Sequence, residues 1–598
     1  MQSTNAISKN PPYRPPTLDG VRRRVEQAIR GIYNGHGNVL LEALPASGKS
    51  YSSLNAASET ETLLLYLASR DYLKRDAEEL CDQFRLTYKR IPTPYKDCPA
   101  FDKSDQDHYD GRAVKAYDNG VGGREIHDRL DDIRCGGDCR YLELLDFDPS
   151  APDVLIGDPS HAYRDEYLKG RFVVKDEFSV SEFETEFENP EQVVNRFLQN
   201  VTLRYDSYQD VLNAQPDNDR YAEALNWLRE HGLYQDTSNV LKSPNKEYHA
   251  LAPTLTFALL AGHELGNGWE RLPVSDWADL HGIDPSGINS NAICVRDRDE
   301  DTMYLLNPPN FDIADGFLGL DGTPTPAMWR IATGLDLSHR DVLEDRAKRK
   351  YVSDVLNQTI IRTNDHLKPY QNDAKGRITA KKDTKIAHWI HRKEGDKPGL
   401  ITSKKAIDNV YPGYNSGELF DYVGTSRNFS NVLSYRGFKD KHLGFVSGSR
   451  HYGDPYIKKW GAYAGETVRS NGKRGTAKSY GEFGNKIHRH MKRQTLQDVL
   501  RFGRDTEPTT VYVNTAALPE WVPSEAAHLV LFSEDTREVA EFLQDRGGKG
   551  GTVTEIENGT KVNERSAQKK AKALAENGFV TKYDDLPDAA AYVWNDAE

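Results

Sequence analysis

The chain has 598 residues, a formal net charge of −13, 37% hydrophobic residues and 10% aromatic residues. That length exceeds what one hydrophobic core serves, so several domains are expected. No apolar run approaches the roughly 18 residues a membrane helix needs. The opening MQSTNAISKNPPYRPP lacks the charged-then-apolar pattern of a secretory signal, so the expectation is a cytoplasmic protein with no membrane partner. The acidic balance excludes a uniformly basic nucleic-acid coat but leaves room for local basic faces such as Lys569, Lys570 and Lys572. It also suits the high-salt cytoplasm of a halophilic archaeon.

In chain order, a Pro-rich arm (1–18) precedes DGVRRRVEQAIRGIY, whose Val21, Val25, Ile29 and Ile32 share one helical face. GNVLLEALPASGKS then reads as strand, turn and helix, and a second strand is expected over Leu63–Ala68 with a charged helix after it. Further buried strands are expected at 153–157 and 172–175. Strands alternating with helices imply a mostly parallel α/β sheet. Residues 190–300 are polar and helix-like, an expected helical insertion. Strand signals resume at 317–321, 399–403, 443–449 and 509–515, enough for a second α/β domain, while 370–384 reads as a surface loop. From about 535 the order is helix, helix, turn, basic helix, Gly578 and strand, the order of a winged helix-turn-helix.

Ala43-Leu44-Pro45-Ala46-Ser47-Gly48-Lys49-Ser50 fits a phosphate-binding loop. Gly48 permits the backbone turn that aims N–H groups at phosphate oxygens, Lys49 supplies a cation for the β and γ phosphates, and the Ser50 hydroxyl suits magnesium. The loop opens a helix, whose N-terminal dipole favours an anion. RFVVKDEFS offers Asp176 to hold magnesium through water and Glu177 to polarise an attacking water. The competing reading of Asp176 and Glu177 is an ordinary acidic strand end.

These residues, in this order, resemble the superfamily 2 helicases, most closely the XPD/DinG-like branch. ALPASGKS resembles that family's phosphate loop, and LLLYLASRDYLKRDAEEL its following DNA-contacting motif. DVLIGDPSHA is similar to the strand before the acidic motif. DEFS stands where the family has DEAH, so Phe178 and Ser179 depart from it. LDGTPTPAMW resembles the motif coupling hydrolysis to DNA movement, GLITSKKA resembles motif IV, and GTSRNFSNVLSYRGF motif V. QDVLRFGR matches motif VI through Gln497, Arg501 and Arg504, the two arginines expected on one face of a helix. The likeness spans roughly 20–530, with 190–300 unmatched.

The resemblance implies ATP and Mg2+ as ligands, nucleic acid as partner (DNA before RNA), and helicase or translocase activity; the alternative is an ATPase switch that does not unwind. It also implies an α/β fold of two RecA-like P-loop domains. The first would cover 19–189 and 301–335, with a Cys-rich insertion at about 81–140 and the helical insertion 190–300; the second would cover 336–534, with the winged helix at 535–598. Five cysteines are no disulfide framework, yet Cys81, Cys98, Cys135 and Cys139 lie where XPD-like helicases carry a four-cysteine iron–sulfur domain. The residues leave three outcomes open: an iron–sulfur cluster, zinc with His108 or His127 replacing a buried Cys81, or no metal. Cys294 is isolated and reads as structural.

Overall fold

The computed structural model describes residues 15–598 except 131, 136–138, 179–181, 215–218, 234–236, 238–239, 242–247, 277–282, 284–287, 368–379, 451, 472–477, 528, 530–531, 585–589 and 596–598. Most of the expected arm, the greater part of the expected 370–384 loop, Ser179 and the turn 136–138 thus lie outside the described residues.

The Thr17 hydroxyl accepts from Gly20 N at 3.1 Å and caps the first helix, Leu18–Gly35. Its Val21, Val25, Ile29 and Ile32 are buried, as their three-to-four spacing demands. There follow β1 (Asn38–Glu42), the helix Lys49–Thr60, β2 (Leu64–Leu67), the helix Asp71–Phe84, β3 (Tyr88–Arg90), β4 (Val154–Gly157) and β5 (Phe172–Asp176). Next come β6 (Glu184–Phe187), β7 (His263–Glu264), β8 (Trp269–Pro273), β9 (Ile293–Asp297) and β10 (Thr302–Leu306), before β11 (Gly316–Asp321) and β12 (Ser338–Asp341).

The first sheet has the order β12-β1-β11-β5-β2-β4-β3, and every pairing in it is parallel. Alternate residues feed two cores. Leu40, Leu65, Val173 and Phe317 face one, while Leu41, Leu64, Tyr66, Val174 and Leu318 face the other. Burial on both faces is what a parallel sheet needs, and it leaves the loops at the carboxyl ends of the strands as the place for a ligand.

A second parallel sheet runs β15 (Ser426–Asn428), β14 (Gly399–Thr402), β16 (Leu443–Ser447), β17 (Thr509–Asn514), β13 (Gln358–Arg362) and β18 (Glu525–Ala526). The long helix Gly481–Val499 leads into β17. At the end of the chain the helices Glu534–Arg546, Val553–Gly559 and Glu564–Glu576 pack with the antiparallel strands β19 (Gly551–Thr552), β21 (Ala591–Trp594) and β20 (Val580–Tyr583). Val539, Leu543, Ile556, Ala571, Leu574 and Tyr592 give this unit a core of its own.

Three expectations are corrected. The segment 190–300 is not wholly helical: after the helix Ala252–Ala261 it supplies β7, β8 and β9 to an antiparallel sheet of order β6-β10-β9-β8-β7. Charged residues hide these strands in the sequence. Glu270 and Arg296 sit opposite one another in the ladder and pair at 3.1 Å, so two charges occupy positions where an apolar signal would be sought. The first sheet also does not end at 335, because the polar, exposed β12 pairs with β1. The Cys-rich unit begins after β3, since Cys81 belongs to the helix Asp71–Phe84 beneath the first sheet. Its core gathers Cys98, Phe101, Val114, Ile126 and Tyr141, with Val240 and Leu241 from the long insertion.

Candidate functional site

β1 delivers the chain into the loop Ala43–Ser50. Gly48, at φ +80°, is the N-cap of the next helix, a left-handed position that glycine takes without strain. Lys49 turns back so that its Nζ donates to Ala43 O at 2.8 Å, and Ser50 Oγ donates to Asp176 Oδ2 at 2.8 Å. Tyr66 OH, from β2, donates to the same Asp176 oxygen at 2.7 Å. Burial and the neighbouring Glu177 charge push the Asp176 carboxyl up, against the pull of Tyr66, Lys49 and Ser50. Burial lowers the Lys49 ammonium, while Asp176, Glu177 and Asp321 work to keep it charged.

Glu177 follows β5 at φ +63°, and its N–H donates to Leu320 O at 2.9 Å. A non-glycine residue held left-handed by a cross-strand bond is strain that its surroundings must maintain. Burial would raise its carboxyl, but Arg70 first, then Arg501, Lys49 and Arg504, outweigh that and hold it below the usual range.

The second sheet's unit closes the other side. Gln497, Arg501 and Arg504 line one cleft of about 530 Å³ together with Pro45, Ala46, Gly48, Lys49, Ser50, Asp176 and Glu177. The helix ends at Val499, so Arg501 and Arg504 are presented by the turn after it and not by a helical face; Gly503, at φ +54°, bends the chain there. Arg504 Nε donates to Leu500 O at 3.0 Å. Burial, with the Arg501 guanidinium beside it, brings Arg504 down to about 10, still protonated at neutral pH. Of the loop residues, Ala43, Leu44 and Ser47 face away from the cleft: Leu44 packs among Val21, Leu343 and Tyr351, and Ser47 is fully buried.

Several lining residues went unassigned in the sequence. Tyr72 and Asp76, from the helix Asp71–Phe84, face Tyr435, Arg436 and Lys439 across the cleft. The Arg436 guanidinium stacks over Tyr72 at 4.6 Å and pairs with Asp76. Asp321, at the end of β11, accepts from Thr323 N (2.9 Å), Trp329 Nε1 (3.1 Å) and Gln497 Nε2 (3.0 Å). LDGTPTPAMW and LSYRGF marked these segments without marking the side chains. A further seam ties 322–325 to the helix Gly481–Val499: Thr323 Oγ1 donates to Arg493 O, and Thr325 Oγ1 lies 2.9 Å from His490 Nδ1.

A second cluster lies in the Cys-rich unit. Ligand atoms of Cys98, His127, Cys135 and Cys139 all lie within 4.8 Å of one another. His127 Nε2 is 3.3 Å from the sulfurs of both Cys98 and Cys139, which are 3.5 Å apart. His127 Nδ1 lies 2.7 Å from Gly123 O, a contact that places the proton on Nδ1 and leaves the Nε2 lone pair facing the thiols. Three sulfurs and an imidazole suit one tetrahedral ion, for which Zn–S bonds of about 2.3 Å imply sulfur separations of about 3.8 Å. The four-cysteine set expected from the sequence is not brought together, since Cys81 is buried in another core and His127 takes the fourth place beside Cys98, Cys135 and Cys139. His108 is also excluded from this group, as its ring is exposed and faces Asp105.

No protein-family model matches the chain, and no curated protein matches it. Among solved structures, one described as an XPD helicase is 14% identical with a TM-score of 0.45, over 85% of this chain and 99% of that one. A second, described as XPD apo, is 12% identical with a TM-score of 0.41, over 85% of this chain and 100% of that one. S. tokodaii Xpd4 is 9% identical with a TM-score of 0.42, over 85% and 99%. No helix among the described residues is long and apolar enough to cross a membrane.

Proposed function

We propose that this chain is a nucleic-acid-dependent ATPase of the helicase type, with two RecA-like domains closing on one nucleotide. A single arrangement carries the reading: Lys49, Ser50, Asp176 and Glu177 from the first sheet face Arg501 and Arg504 from the second across one cleft. The first domain comprises 19–189 and 301–341, interrupted by the Cys-rich unit and by 190–300; the second runs to 534, and 535–598 form a winged helix.

In this reading the Gly48–Ser50 backbone and the helix it opens receive the β-phosphate, and Lys49 leaves the Ala43 carbonyl for the β and γ oxygens. Bound magnesium would supply charge neutralisation at those oxygens, held by Ser50 and Asp176, which already share a hydrogen bond. Glu177 orients the attacking water, and Arg501 and Arg504 neutralise charge as the γ-phosphoryl departs. In the Cys-rich unit, Cys98, His127, Cys135 and Cys139 would hold zinc as a structural ion that stiffens a unit with few strands.

One observation favours a non-unwinding variant of the same reading. Phe178, directly after Glu177, packs its ring 5.0 Å from Trp329 and 6.4 Å from Trp460, an apolar contact where a polar coupling residue would link hydrolysis to strand movement. ATP turnover with and without single-stranded DNA, measured beside strand displacement, tests both. A helicase does both; the switch hydrolyses ATP and displaces nothing. Lys49→Ala should abolish turnover and Glu177→Gln should bind ATP but hydrolyse it about 100-fold more slowly; parental turnover in both would end the reading.

A further inference from the structure

The helix Ala380–Glu394 precedes β14 and buries Ala380, Ile386, Ala387 and Ile390 in the core it shares with the second sheet. Lys381, Lys385, His388 and Arg392 follow the alternation of four and three residues that stacks side chains in one stripe along a helix. At 1.5 Å per residue that stripe is about 16 Å long. Lys385, His388, Trp389, Arg392 and Lys393 line an open groove of about 390 Å³, and no carboxylate among the described residues lines it, in a chain of net charge −13. His388, Arg392 and Lys393 are exposed, and Arg392 has no carboxylate partner among the described residues. The Lys393 ammonium lies 5.2 Å from the Trp389 ring and 5.4 Å from that of Tyr512, while the His388 ring stacks on Tyr422 at 4.5 Å.

The head of the stripe meets the C-terminal unit. Lys381 Nζ pairs with Glu534 Oε1 at 2.6 Å, and Lys385 Nζ donates to Phe532 O at 2.6 Å. Lys570 Nζ, from the helix Glu564–Glu576, donates to Ser533 Oγ at 3.0 Å. Phe532 also packs edge-on against Phe579 at 5.1 Å. Three consecutive residues, Phe532 to Glu534, are thus held by the helix Ala380–Glu394 and by the helix that carries Lys569 and Lys572.

We propose that the groove on Ala380–Glu394 and the helix Glu564–Glu576 form one surface for duplex nucleic acid, with Arg392 and Lys393 meeting phosphates beyond those met by Lys569 and Lys572; this rests on the winged-helix reading of 535–598. A duplex carries one negative charge per about 1.7 Å of its axis, so a stripe of this length faces several phosphates at once. Arg392 gives up no ion pair to take a phosphate, and its planar fork fits two phosphate oxygens. Lys393 is held over an aromatic ring, which lessens the ordering cost of a contact. Charge alone would serve an acidic protein equally well. The duplex is favoured because the stripe is pinned to the helix bearing Lys569 and Lys572.

The test is binding of a fluorescent mixed-sequence duplex DNA to the full, nucleotide-free chain over a series of salt concentrations. Replacing Arg392 and Lys393 together with Gln should flatten the dependence of log affinity on log salt by about two, one for each phosphate no longer neutralised. Combined with Ala at Lys569 and Lys572, the loss should be about four, with one duplex per chain throughout. Arg392→Lys should keep the parental slope, because a phosphate contact reads charge. Should the Gln pair not fold, Arg392→Gln alone should flatten the slope by about one. A parental slope in the folded Arg392 and Lys393 variants overturns the inference and leaves the groove to a protein partner. Two duplexes on each saturated chain overturn it as well, since the two faces would then be separate sites. A slope indifferent to Lys569 and Lys572 would remove the winged-helix reading itself, a result distinct from a slope that responds to those lysines and not to Arg392 and Lys393.

Discussion

Gln497 Nε2 donates a 3.0 Å hydrogen bond to Asp321 Oδ1, joining the last turn of the helix Gly481–Val499 to the end of β11. β11 lies beside β5, with Leu320 in register with Asp176. A displacement of the second sheet's unit therefore reaches the carboxylates of the first through Gln497, beside the Thr323–Arg493 and Thr325–His490 contacts of the same helix. Asp321 is held from within its own unit by Thr323 N and Trp329 Nε1, so the Gln497 bond is the part of this network that crosses the cleft.

Gln497→Ala should accordingly spare nucleotide affinity and reduce turnover about 10-fold or more, the order expected for one hydrogen bond to a charged group. Equilibrium binding of a fluorescent nucleotide measured beside turnover separates the two quantities. A parallel loss of affinity and rate would mean that Gln497 holds the nucleotide and does not couple the units.

Burial raises the Asp321 carboxyl to about 6, despite the Thr323 and Trp329 bonds. Its unfolded value is near 3.9. Between those two values the folded chain binds the extra proton, so the stability this group contributes falls as pH rises from about 4 to about 6 and stays low above that, an effect of at most about 3 kcal/mol. Asp321→Asn carries no charge but turns an amide donor toward Trp329 Nε1. The variant should melt below the parent at pH 5, and the gap should close by several degrees at pH 7.5. A gap independent of pH would show that Asp321 is already ionised at pH 5.

The cysteine cluster predicts about one zinc per chain and no absorption near 400 nm of the kind iron–sulfur clusters give. Cys135→Ser and His127→Ala should lose the metal, and Cys81→Ser should retain it. Elemental analysis decides; iron in the parent, or metal loss with Cys81→Ser, would overturn the Cys98, His127, Cys135 and Cys139 set.

The C-terminal unit, with its own core, presents Lys569 and Lys572 on the helix Glu564–Glu576, while Lys570 donates to Ser533 Oγ at 3.0 Å. Under the winged-helix reading proposed above, it should bind duplex DNA with a steep fall in affinity as salt rises. Replacing Lys569 and Lys572 with Ala should flatten that slope by about two, one for each phosphate no longer neutralised. A salt slope equal to that of the parent would place the DNA-binding face elsewhere.

The buried parallel strands and the strand–loop–helix turn at Ala43–Ser50 were legible in the sequence because apolar runs and a fixed loop spacing carry them. β12 was not, since its four residues, Ser338–Asp341, are all polar and exposed and only the ladder to β1 defines it. β8 and β9 were hidden by the cross-strand pair Glu270–Arg296. Spacing alone could not choose His127 over Cys81, because the choice depends on which core each helix joins. The same holds for Arg70 and Glu177, which lie 107 residues apart in sequence and meet only because β2 and β5 are neighbours.

The two arginines beyond the helix Gly481–Val499 test the two-domain site most directly. Arg501 is buried and Arg504 half-buried, and each is depressed by desolvation more than it is supported by Glu177. Arg501 lies 3.9 Å from Asp498, but Asp498 is already engaged by Arg450 through both carboxylate oxygens, at 2.8 and 2.9 Å. The carboxylate that would tie Arg501 into a structural pair is thus shared with Arg450, and two adjacent guanidiniums face a cleft with Lys49 on its far wall. A polyanion relieves that repulsion, so a non-hydrolysable ATP analogue should raise the melting temperature of the parent. Arg504→Ala should keep most of the nucleotide affinity and lower DNA-stimulated turnover by about 10³-fold, the lower end for arginines that neutralise a departing phosphoryl group. Arg501→Ala should behave alike. Lys at either position should rescue little, because a point charge lacks the planar fork and is shorter. Near-parental turnover in both Ala variants would mean that the second sheet's unit does not complete the nucleotide site, whatever the first sheet's residues do alone.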